Sequence, residues 1–134
     1  MAKDNPAQVT KKNALTRVLI ADSNEESRSV LERLLDNCGY RVQTVPDPKA
    51  CITEMQKEAP DLLIIHRSHL LEYKEKLRDS LLATNRENIA VIILASLNPE
   101  VDVRNWPSSC RVRALQAPLC PDEMLNAMCE LFEC

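Results

Sequence analysis

Residues 16–45 read TRVLIADSNEESRSVLERLLDNCGYRVQTV, and the fold turns on the change of period inside them. RVLIA (17–21) is a continuous apolar run, as expected of a strand buried on both faces of a parallel sheet. Ser23 and Glu26 then have the S-x-x-E spacing of a capping box. Val30, Leu31, Leu34, Leu35 and Cys38 follow at helical intervals, which predicts an amphipathic helix with these side chains inward. Gly39, the only glycine in 134 residues, stands where a left-handed cap would end that helix. YRVQTV (40–45) reads as the next strand. One strand–helix–strand unit is therefore complete.

The theme repeats along the chain. Asp47 and Pro48 supply an N-cap and a first-turn proline, with Ile52, Met55 and Ala59 on one helix face. DLLII (61–65) is a third apolar run. Leu70, Leu71, Lys74, Leu77, Leu81 and Leu82 mark a third helix. NIAVIIL (88–94) is the most hydrophobic strand and is expected at the centre of the sheet. CRVRAL (110–115) is a weaker strand, and PDEMLNAMCELF (121–132) a closing helix with Met124, Leu125, Met128, Leu131 and Phe132 inward. Between 97 and 109 the pattern is broken by Asn98-Pro99 and by Trp106-Pro107, so a short or distorted fourth helix is expected. Five strands alternating with about five helices give a three-layer α/β sandwich around a parallel sheet. A ligand site in such a fold lies at the carboxyl ends of the strands, which carry Asp22, His66, Ala95 and Ala117.

Composition sets outer limits. The chain is 45% hydrophobic and 28% charged, ordinary for a single globular domain. Residues 1–15 are polar and aperiodic, so they read as a flexible arm before a domain spanning 16–134. A net charge of -3, with no basic run longer than Lys11-Lys12, argues against nucleic-acid binding. No apolar stretch is long enough to span a bilayer, and no signal peptide is evident, so no membrane association and a cytoplasmic location are expected. Six cysteines without a CxxC pair read as reduced, mostly buried thiols. A single glycine excludes the phosphate-cradling loops of Walker and dinucleotide-binding motifs.

Three stretches together resemble the CheY-like receiver domains of response regulators in two-component signalling. They are residues 16–45, DPKACITEMQKEAPDLLIIH (47–66) and QAPLCPDEML (116–125). The resemblance covers roughly residues 16–133 and implies a flavodoxin-like sheet in the order 2-1-3-4-5. It also implies a phosphorylation pocket. In a working receiver, two acids after the first strand and an aspartate after the third bind a divalent cation, and that aspartate accepts the phosphoryl group. A hydroxyl after the fourth strand and a lysine after the fifth contact the phosphoryl oxygens. The types matter: carboxylates suit hard Mg2+, aspartate is a nucleophile, and lysine offsets developing charge.

Carried over position by position, only Asp22 survives. Ser23 occupies the second acidic position, His66 the acceptor position, Ala95 the hydroxyl position and Ala117 the lysine position, with Pro118 retained. Ala114 replaces the aromatic that swings inward on activation. The pattern is that of a degenerate pseudo-receiver: no enzyme, no cofactor, and a role in protein contact with a kinase, a regulator or a second copy of itself. Trp106, Ala114 and Leu119 are candidate partner-binding positions on the face around the last strand. His66 is expected to fill the former acidic pocket and pair with Asp22. Another reading makes the vacated pocket a ligand, pH or redox sensor built on His66, Asp22 and the cysteines. A third uses Asp61 or Ser68 as a displaced acceptor. Residues 67–71 lack the usual proline and glycine, so the third helix should begin early. A lone Asp22 holds Mg2+ poorly. Thermal melts with and without millimolar Mg2+ should therefore coincide, and a rise of several degrees would refute the loss of the cation site.

Overall fold

The alternating periods resolve into one sheet with helices on both sides. The computed structural model describes residues 16–83, 89–95, 110–116 and 121–132. The strands are β1 (Arg17–Ala21), β2 (Arg41–Val45), β3 (Leu62–His66), β4 (Ala90–Ala95) and β5 (Arg111–Gln116). Four helices lie among the described residues: α1 (Glu25–Asn37), α2 (Pro48–Lys57), α3 (Arg67–Ala83) and α4 (Pro121–Phe132). All neighbouring strands are parallel, in the order β2-β1-β3-β4-β5. This is the expected flavodoxin-like arrangement. The arm 1–15 and the expected fourth helix between 97 and 109 fall outside the described residues.

Period-two alternation sorts the core into two layers. Val18, Ile20, Leu62, Ile64 and Ile92 face α1 and α4, where Leu31, Leu35, Met124, Ala127 and Met128 meet them. Leu19, Ala21, Leu63, Ile65, Val91 and Ile93 face α2 and α3, against Cys51, Met55, Leu77 and Leu81. Because β1 and β3 are covered on both faces, their apolar residues are fully or almost fully buried and no polar alternation appears in the sequence.

The lower edge of the sheet is tied by one residue. Asp61 Oδ2 accepts from the Arg17 amide at 2.7 Å, and the Asp61 amide donates to the Arg17 carbonyl at 2.9 Å. Its carbonyl accepts from Ala90 N at 3.0 Å, so one aspartate joins β1, β3 and β4. The buried Arg17 side chain is satisfied in turn by Gln43 Oε1 at 2.7 Å, the Glu58 carbonyl at 3.4 Å and the Glu58 carboxylate at 3.8 Å. Asp61 is thus occupied, at the end of β3 away from the candidate pocket.

The helix ends explain the local folding. At the C-terminus of α1, Gly39 N donates to Asp36 O and Tyr40 N to Leu35 O, the paired bonds of a Schellman motif. That turn needs the positive φ of 92° at Gly39. Asp47 caps α2 by accepting from Ala50 N at 2.7 Å, and Pro48 takes the first turn, both as expected.

Several expectations need correction. The N-cap of α1 is Asn24, whose side chain accepts from Ser27 N; Ser23 is exposed and caps nothing. An extra residue of turn after Asp22 moves the helix start on by one, and asparagine caps as well as serine. Val30 is 60% exposed and Leu82 55%, so neither faces the core. On α2 Met55 is buried as expected, but its buried companions are Pro48 and Cys51, with Ile52 half-buried and Ala59 beyond the helix end. β4 is an interior strand between β3 and β5, as its hydrophobicity predicts, and β3, covered equally on two faces, takes the middle of the sheet. The third strand runs one residue further than expected, to His66.

Replacing Gly39 with alanine puts a Cβ into the left-handed region and should cost ~1–2 kcal/mol. Urea unfolding of Gly39→Ala checks this; an unchanged midpoint would show that the cap does not need its glycine.

Candidate functional site

The order of strands reverses beside β1: β2 lies on one side, β3 and the rest on the other. A crevice at the carboxyl ends of β1 and β3 follows from that reversal. Ala21 pairs with Ile65 and His66 with Leu94, so Asp22 and His66 emerge from adjacent strands at the same level.

Asp22 is 3% exposed and is built into its own turn. Its amide donates to Val45 O at 3.1 Å, tying the loop to β2. Its carbonyl accepts from Arg28 Nη1 at 2.8 Å, and Oδ1 accepts from Asn24 N at 2.9 Å. That last bond is an Asx turn, which feeds the chain into α1. Oδ2 is buried with no hydrogen-bond partner. The acid is held by its own loop rather than by the expected pairing with His66.

His66 is the last residue of β3 and is half-buried. α3 starts at the next residue, Arg67, as the missing proline and glycine predict. One turn of α3 then brings His69 towards the same region. His69 is half-buried, and its Nε2 is shielded from solvent without a hydrogen-bond partner. Burial pushes its pKa below the usual 6.5; His66 adds to the depression, while Asp22 and Asp47 oppose it. His66, Asp22 and Asp47, from β3, the β1–α1 turn and the N-cap of α2, therefore all act electrostatically on His69. Among the described residues no three such groups are arranged to hold a metal ion.

Of the remaining sequence-derived positions, Ala95 ends β4 opposite Gln116, and its methyl offers no hydroxyl. Ala114 is half-buried on β5, opposite Ile93. Ala117, Pro118, Leu119 and Trp106 lie outside the described residues. Cys51 is fully buried; desolvation raises its thiol pKa to about 12, against a smaller opposing effect of Arg17, so at neutral pH it is a packing group rather than a thiolate. Asp47 and His69 are the residues that sequence reasoning undervalued. The sequence presents Asp47 only as a cap, yet it follows the carboxyl end of β2, the neighbour of β1.

No family model matches the chain. The fold is nonetheless that of response-regulator receiver domains. A CheY-like receiver domain from Methylobacillus flagellatus superposes with a TM-score of 0.70 at 12% identity, covering 87% of this chain and 98% of that one. A two-component response regulator from Clostridium difficile gives 0.70 at 15% identity, covering 88% and 96%. A receiver-modulated diguanylate cyclase from Pelobacter carbinolicus gives 0.65 at 24% identity, covering 88% and 92%. Among curated proteins, the chain is 27% identical over 119 residues to the sensory/regulatory protein RpfC of Xanthomonas campestris pv. campestris. The match takes in 86% of this chain but spans only 16% of that protein's length. No described helix is long and apolar enough to cross a membrane.

The depressed pKa of His69 has a definite sign in stability. The unfolded chain takes up this proton near pH 6.5, before the folded chain does, so stability is intact above about 6.5 and is lost as pH falls below it. Glu54, held below 4.5 chiefly by Gln43 and then by Lys57, titrates outside this window. Urea midpoints measured between about pH 7.5 and 5.5 should fall more for the wild type than for His69→Gln. Equal slopes would mean that His69 is not buried neutral.

Proposed function

We propose that this chain is a receiver-like module of a two-component phosphorelay, a cytoplasmic pseudo-receiver that takes up no phosphoryl group and acts by protein–protein contact. The observation that carries the reading is His66 at the carboxyl end of β3, with α3 following at once. An acyl phosphate needs a carboxylate nucleophile there, and an imidazole cannot form one. Three further features support it. Asp22, the surviving acid, already spends one oxygen on the Asn24 amide. Ala95 and Ala117 supply neither the hydroxyl nor the cation that would stabilise a transferring phosphoryl group. The similarity to a sensory/regulatory protein, together with the receiver fold, favours a signalling context over metabolic turnover.

A second reading rests on a different observation. His69 Nε2 and Asp22 Oδ2 are both buried without partners, so a change of protonation in this pocket would be felt by α1, α2 and α3 together. A pH-responsive pocket is compatible with a domain that takes up no phosphoryl group. The fully buried Cys51 makes a redox version less favourable.

The test is direct. Two-dimensional 1H–15N spectra of the labelled protein should not change on adding acetyl phosphate, or beryllofluoride with Mg2+. Saturable shifts clustered at the carboxyl ends of β1 and β3 would overturn the reading.

A further inference from the structure

The outward face of α1 carries a pattern that the fold does not use. Leu31 and Leu35 are buried, while Glu26, Val30, Arg33 and Asn37, at i, i+4, i+7 and i+11, are all exposed. Val30 is the most exposed large hydrophobic among the described residues, at 60%. It sits in a shallow depression lined by Glu25, Glu26, Ser29 and Arg33. Neither Glu26 nor Arg33 forms an ion pair among the described residues. An apolar side chain flanked by unpaired charges of opposite sign is the layout of a contact surface.

The spacing makes that surface complementary to itself. Glu26 lies three residues before Ser29, and Arg33 three residues after Val30. Glu26 and Arg33 are therefore equidistant from the Ser29–Val30 peptide bond, about 10 Å apart along the axis. Two α1 helices laid antiparallel about a two-fold axis at that bond place Glu26 of each copy opposite Arg33 of the other. Val30 of each meets Ser29 of the other, and the small serine leaves room for the valine. The same register sets Glu32 opposite Ser27 and Glu25 opposite Leu34, so no acid on the helix between these positions faces another acid. Antiparallel packing also opposes the two helix dipoles favourably. Such an isologous contact closes at two copies.

We infer that α1 is the docking surface for a second copy of this chain, through an antiparallel α1–α1 contact centred on Ser29 and Val30 with reciprocal Glu26–Arg33 pairs. The inference rests on the reading of the chain as a protein-interaction module and names its partner. One helix face is smaller than a standard interface, so the dimer should be weak and reversible, with appreciable association only above roughly 10 µM.

Sedimentation equilibrium from about 10 µM to about 1 mM tests it through a charge exchange. The wild type should move reversibly towards twice the monomer mass. Glu26→Arg alone opposes two arginines at each end of the contact, and Arg33→Glu alone opposes two glutamates. Each should weaken association at least about tenfold. Mixed in equal amounts, the two variants should regain dimer, because the arginine introduced in one chain meets the glutamate introduced in the other. Val30→Asp should be monomeric with unchanged helical circular dichroism, since the position is exposed. A wild type that stays monomeric at the highest concentration overturns the inference. So does a mixture that fails to associate, or a dimer that survives both single substitutions. None of these results alters the response to acetyl phosphate, so the failure of the dimer and the failure of the phosphorylation reading are separable.

Discussion

Asp61 sets the level of everything above it. Its carboxylate and amide grip the two backbone groups of Arg17, and its carbonyl holds the Ala90 amide, so β1, β3 and β4 start in fixed register. Asp22 lies five residues above Arg17 and His66 five above Asp61, and parallel strands rise equally. The two residues therefore arrive together at the upper edge. A slip of one residue in β3 would turn Leu63 and Ile65 onto the wrong layer and carry His66 away from Asp22. The clamp is charge-assisted and partly buried, which makes its bonds stronger than ordinary backbone pairs. Arg17, beside it, is a buried cation that the fold tolerates only because Gln43 and Glu58 meet its guanidinium.

The upper edge is satisfied far less completely. At the lower edge the buried polar groups of Arg17 and Asp61 have partners, whereas at the upper edge Asp22 Oδ2 and His69 Nε2 have none. A buried polar atom without a partner typically costs ~1–3 kcal/mol. Stability alone gives no reason to keep such atoms, and two of the three among the described residues lie at the crevice, the third being Arg111 Nε at the start of β5. Neutral His69 is the form this environment favours, because burial and the neighbouring His66 both oppose its charge. Asp22 and Asp47 pull the other way, so the balance among four groups decides the protonation state.

Much of this was legible in the sequence, and the failures have physical causes. β1, β3 and β4 are legible because burial on both faces makes them continuous apolar runs, and α1 ends where the only glycine stands. The cap of α1 was misplaced by one residue because Ser23 and Asn24 both offer an oxygen, and only the Asx turn at Asp22 decides between them. Val30 looked like core because it sits beside Leu31 at helical spacing, yet it lies on the opposite slope of the helix from Leu35. The relative places of β3 and β4 depend on strand order, which hydrophobicity does not encode. His69 and Asp47 are far apart in sequence from Asp22. Only the 2-1-3 order of strands and the early start of α3 bring their charges to bear on one another.

The same geometry gives Asp22 a folding role of its own. One carboxylate oxygen receives the Asn24 amide and so shapes the turn in which Asn24 caps α1. Its carbonyl anchors Arg28 one turn later, and its amide ties the loop to β2. An alanine here would leave the turn and the helix start without their acceptor, at a cost of the order of a lost cap, ~1 kcal/mol. A residue with two duties, one in chemistry and one in folding, can lose the first and still be required for the second. Asp22 is therefore required by the fold whatever else it does, and the unpartnered Oδ2 is the half of the side chain that this folding role does not use.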